Sequence, residues 1–67
     1  MKPNYLKFEE LLTKHNIRAS DVSNATGIVA STFSDWKKGK SVPKTEKLAL
    51  LAKYFGVTIE YFLANEE

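Results

Sequence analysis

The chain contains no cysteine and a single histidine, His15. Without thiols, neither a disulfide framework nor a thiolate zinc site can reinforce the fold, and packing alone must stabilise it. One histidine leaves no ready set of metal ligands or acid–base partners, and the serines lack the base and orienting group that a hydrolytic triad requires. Long apolar runs are missing too: the longest stretch without charge, residues 22–34, is broken by serine, asparagine and threonine. That excludes a membrane-spanning helix and a signal-peptide apolar segment. Glycine and proline are scarce, at three and two residues, and no segment alternates as a half-buried strand does. These absences predict an all-α, soluble, cytoplasmic protein with no catalytic residue, no metal, no cofactor, no membrane partner and no small-molecule substrate.

What remains is enough for one small core. At 67 residues the chain is near the lower limit for an unstapled fold, so a single domain over residues 1–67 is expected. A hydrophobic content of 43%, with four Phe, three Tyr and one Trp, is too rich for a disordered segment. The net charge of +2 is small, but it is local: from Trp36 to Lys47, the lysines Lys37, Lys38, Lys40, Lys44 and Lys47 are opposed only by Glu46, while the rest of the chain is net acidic. Such a cluster reads either as a solvated basic loop or as a phosphate-facing patch.

The three glycines divide the chain into helices. Gly27, Gly39 and Gly56 each follow a helix-like segment, and each suits the left-handed position that satisfies the last helical carbonyls; Ile28 and Val57 can add the apolar contact of such caps. Five helices follow. The first, about Asn4 to His15, places Tyr5, Phe8, Leu11, Leu12 and His15 at helical spacing. The second, about 19–26, turns Val22, Ala25 and Thr26 inward, with Ser23 at a close approach. The third is about 30–38. Thr45 is the expected N-cap of the fourth, with Leu48, Leu51, Ala52 and Phe55 as its apolar stripe, and Thr58 that of the fifth, with Ile59, Phe62 and Leu63 inward.

On a wheel of residues 30–38, Phe33 and Trp36 share one side, and Ser31, Ser34, Asp35 and Lys38 share the other at i, i+3, i+4 and i+7. Small polar side chains allow a helix to enter the roughly 12 Å wide major groove, where hydroxyls meet base edges or phosphates and a carboxylate accepts from cytosine N4. The same residues also suit an ordinary solvated helix face. Trp36 is expected in the core beside Phe33 rather than stacked on a base, and His15 at a helix end on the surface.

The order of elements is that of a helix-turn-helix. The segment from Thr26 to Pro43, TGIVASTFSDWKKGKSVP, resembles the Cro/repressor family of phage and bacterial regulators, the Xre type, and Leu48, Leu51, Ala52, Phe55, Gly56, Val57, Ile59, Phe62 and Leu63 continue the match through its fourth and fifth helices. The resemblance spans Phe8 to Leu63. It implies a compact five-helix, lambda-repressor-like bundle that binds double-stranded DNA sequence-specifically, regulating transcription as a phage or prophage-type repressor, bacterial or phage-encoded, and sitting as a homodimer on an inverted-repeat operator. Carried over by position, it implies that Ala30, Ser31, Ser34 and Asp35 read bases and that Arg18, Ala19, Thr32, Lys38, Lys40 and Ser41 contact phosphates. An antitoxin of a toxin–antitoxin pair, or a protein-interaction module that has lost DNA binding, are the alternatives.

Departures from the family pattern are specific. Many members carry glutamine where this chain has Ala19 and Ala30, and a polar N-cap where it has Arg18 and Val29, so its base-reading code differs. Many also pair an arginine and a glutamate at the positions of Leu12 and Lys37. Losing both together avoids a stranded buried charge, and Leu12 is expected to pack as an apolar replacement beneath the lysine stem. Leu50 and Tyr54, at i and i+4 on the outer face of helix 4, form an exposed apolar pair suited to a dimer or partner contact.

Overall fold

The computed structural model of the protein describes residues 3–63; the ends of the expected 1–67 span lie outside it. The described residues form α1 (Tyr5–His15), α2 (Ala19–Thr26), α3 (Ala30–Lys38), α4 (Thr45–Phe55) and α5 (Ile59–Leu63), with no strand among them. None of these helices is long and apolar enough to cross a membrane. The all-α expectation holds.

The helix ends follow from backbone chemistry. Gly27, Gly39 and Gly56 all take positive φ at the C-terminal caps, a conformation that costs glycine little because it has no Cβ. The end of α1 carries no glycine: Asn16 adopts φ 56°, ψ 46° there, using the tolerance of asparagine for the left-handed region. At α1, α3 and α4 the chain turns back with an amide five residues beyond its acceptor: Ile17 donates to Leu12 at 3.0 Å, Lys40 to Asp35 at 2.9 Å and Val57 to Ala52 at 2.9 Å. Each such bond satisfies a carbonyl that the helix end would otherwise leave unpaired.

Local expectations need correction at three positions. Lys44, not Thr45, is the N-cap of α4, and Thr45 is already helical, the chain leaving Pro43 in extended geometry as far as Lys44. Ala25 is exposed rather than inward, because the inner side of an eight-residue helix is filled by Val22 with half-buried Ser23 and Thr26. Asn4 precedes α1 as its N-cap rather than opening the helix, its side-chain oxygen accepting from the Leu6 amide at 2.9 Å.

The core is aromatic at its centre. Phe8 stacks on Phe33 at 4.7 Å between centroids and 13° between planes. Around them lie Trp36, Phe55 and Phe62, with Leu11, Leu51, Val22 and Ile28 closing the cluster. Trp36 is 4% exposed, which establishes its core role. Its indole N–H donates to the Pro3 carbonyl at 3.2 Å, and the Asn4 amide donates to the Phe62 carbonyl at 2.7 Å. The chain before α1 is therefore tied to both α3 and α5, and the indole donor is not buried without a partner. Leu12 is half-buried against the cluster and Lys37 is exposed, so neither position buries a charge.

Candidate nucleic-acid interface

The site begins with the turn between α2 and α3. Ile28 is 2% exposed, so its backbone amide and carbonyl have little water to bond. Both are satisfied by side chains of α2: the Ile28 amide donates to Thr26 Oγ1 at 3.3 Å, and the Ser23 hydroxyl donates to the Ile28 carbonyl. Thr26 in turn donates its hydroxyl to the Val22 carbonyl at 2.8 Å, and the Gly27 amide donates to the Ser23 carbonyl at 2.9 Å. At the ends of α1, α3 and α4 the residue after the cap bonds back to a main-chain carbonyl. Here side chains take over, which fixes the direction in which the chain leaves α2 and so the angle at which α3 begins. Helical spacing places Ser23 and Thr26 on the packing side of α2 but does not disclose this role; a Ser and a Thr three residues apart ahead of the glycine are its only local signal.

Phe33 and Trp36 then hold α3 by one side. The opposite side faces outward: Ala30, Ser31, Ser34 and Lys38 are exposed and Asp35 is half-buried. Lys37 and Lys38 fall in the last turn of α3, where cations also favour the helix macrodipole, but Lys40 and Ser41 lie beyond it and are exposed as well. Macrodipole compensation therefore does not account for the whole basic cluster. Thr32 is half-buried and lies at the N-terminal turn, its amide donating to the Val29 carbonyl at 3.0 Å.

Val29 is the N-cap of α3 in extended geometry, makes no side-chain cap bond and is 61% exposed. A serine or threonine there would add about 1 kcal/mol of stability through the missing bond. The N-terminus of α2 is different. Arg18 and half-buried Ala19 open it, and the carboxylate of Asp21 folds back to accept from the Arg18 amide at 2.9 Å. One end of α2 thus presents a guanidinium and a carboxylate together, and the carboxylate occupies part of the positive potential that would attract a phosphate.

Away from this surface, Leu50 and Tyr54 are 46% and 42% exposed on α4, with the Tyr54 ring edge-on to Phe55 at 5.0 Å. His15 is exposed at the end of α1, its ring 5.4 Å from that of Phe55.

A family model for the Cro/C1-type HTH DNA-binding domain matches residues 7–64. The chain is 31% identical over 61 residues to the HTH-type transcriptional activator BcrR of Enterococcus faecalis, covering 91% of this chain and 30% of that protein. It is 30% identical over 61 residues to the cryptic phage CTXphi transcriptional repressor RstR of Vibrio cholerae, covering 91% of this chain and 55% of that one. The chain thus spans only part of the length of these curated relatives. A crystal structure of a transcriptional regulator from Listeria innocua superimposes with a TM-score of 0.76 at 22% identity, over 100% of this chain and 64% of the other, a likeness of fold.

Proposed function

The chain belongs to the Cro/C1-type helix-turn-helix DNA-binding family, and from that premise we propose that it regulates transcription by binding an operator in double-stranded DNA, as a repressor of the phage or prophage type. The observation that carries this reading is the outward face of α3, polar and unencumbered, on a helix anchored from behind by Phe33 and Trp36 and followed by exposed lysines. In this reading α3 lies in the major groove, where Ala30, Ser31, Ser34 and Asp35 meet base edges. Lys38, Lys40, Ser41 and Thr32 contact the flanking phosphates, and Arg18 and Ala19 approach the backbone at the start of α2.

Two copies bind an inverted repeat. A twofold-symmetric pair presents its recognition helices about 34 Å apart, one turn of duplex, and each helix reads one half-site. The Leu50 and Tyr54 face is the apolar surface available for the contact between copies. The relative RstR, named a phage transcriptional repressor, supports repression as the sense of regulation, whereas BcrR, named a transcriptional activator, points the other way.

Selection of bound sequences from random duplex DNA tests the proposal. An enriched inverted repeat is expected, with affinity for it at least about 10³-fold above that for unrelated duplex. Equal affinity for all sequences would remove the sequence-specific part of the reading, and no binding at low salt would remove it entirely.

A further inference from the structure

Val29 is a residue that the fold does not explain. It is 61% exposed, so it fills no core space, and it occupies the N-cap of α3 without a side-chain cap bond. Valine is among the poorest residues for that position, since it offers no acceptor to the first amides of the helix. The next side chain, Ala30, is exposed too. Two adjacent apolar side chains therefore stand at the mouth of α3, beside the hydroxyls of Ser31 and Ser34 on its outward face. Water is a poor partner for such a pair, and a polar groove floor offers one apolar feature that suits it. That feature is the C5-methyl of thymine, which projects into the major groove and distinguishes A·T from the other pairs without a hydrogen bond.

We propose that Val29, with Ala30 beside it, is a specificity-determining residue that reads a thymine methyl in each half-site. The inference rests on the DNA-binding reading given above and deepens it. Valine carries two methyls on a branched carbon with a restricted χ1, so it presents a fixed apolar surface and gives up little freedom on contact. The missing N-cap bond is then the cost of recognition at a site where a capping hydroxyl would favour folding instead.

Replacing thymine by deoxyuridine removes the methyl and leaves every hydrogen-bonding group of the base in place, so it isolates the contact. Each thymine of the selected operator is exchanged in turn, and dissociation constants are measured for the wild type and for Val29→Ser. In the wild type, one symmetry-related pair of exchanges is expected to weaken binding about fourfold for each methyl, as the exposure of one buried methyl implies. Val29→Ser is expected to raise the melting temperature, because it restores a cap, and to bind thymine and deoxyuridine operators equally. A folded variant that no longer discriminates cannot be ascribed to unfolding. Wild-type binding indifferent to every exchange would overturn the proposal, as would a methyl effect that persists undiminished in Val29→Ser, which would assign the contact elsewhere. Absence of any enriched operator sequence would remove the DNA reading itself and this proposal with it.

Discussion

The hydroxyl of Ser23 donates to the main-chain carbonyl of Ile28 across the turn between α2 and α3. Ile28 is buried, so this carbonyl has no solvent to replace a missing donor. Ser23→Ala should therefore destabilise the protein by about 1–3 kcal/mol, the cost of leaving a buried acceptor unsatisfied. Urea unfolding followed by far-ultraviolet circular dichroism gives the value. A change of under about 0.5 kcal/mol, well below that range, would mean that the turn is fixed by Gly27 and the burial of Ile28 alone.

Residues proposed to hold phosphates and residues proposed to read bases should fail differently. Lys38→Ala and Lys40→Ala are expected to weaken binding to all sequences alike and to reduce the slope of log affinity against log salt by about one for each phosphate no longer neutralised. Ser31→Ala and Asp35→Asn should instead change preference at particular base pairs by about 1–3 kcal/mol. Asp35→Asn should also strengthen non-specific binding, because a carboxylate beside the groove repels phosphates. Unchanged selected sequences for both of these variants would show that α3 is not the reader.

Leu50 and Tyr54 supply a test of assembly. Replacing both by glutamate should leave the helical content intact, since each is more than two-fifths exposed, while shifting sedimentation toward monomer and lowering operator affinity. Wild-type protein that sediments as a monomer both free and on its operator would exclude this face as a dimer contact.

Tyr5 gives the fold a dependence on alkaline pH. Burial, and secondarily the neighbouring charge of Glu9, raises its phenol above the usual tyrosine range. The folded chain then holds this proton more tightly than the unfolded chain. The associated stability is complete below the unfolded value near 10 and disappears as pH rises through the higher folded value. Between about pH 8.5 and 11, a window that brackets the ordinary tyrosine value, the urea midpoints of the wild type and Tyr5→Phe should accordingly fall by different amounts, the wild type falling further. Parallel decreases would assign the alkaline effect to other groups.

The five helices and the outward face of α3 are legible in the linear chain. Gly27, Gly39 and Gly56 mark their own positions because few other residues tolerate positive φ there, and the spacing of Phe33 and Trp36 alone decides which side of α3 turns inward. These are local properties, carried by residues within one or two turns of each other. The family resemblance adds the element order, and with it the place of the residues proposed to face the groove.

Tertiary packing settles whatever depends on a second part of the chain. That Pro3 accepts the Trp36 indole, 33 residues away, follows only once α3 has packed against the start of α1. The roles of Ser23 and Thr26 require Ile28 to be buried first, since an exposed turn would bond water and need neither side chain. Likewise, Ala25 is small and apolar enough for either side of α2, and Val29 is apolar enough for a core; each is exposed because the neighbouring helices fill the core without it. Burial is a property of the assembled layers, whereas helix-forming tendency and capping are written residue by residue.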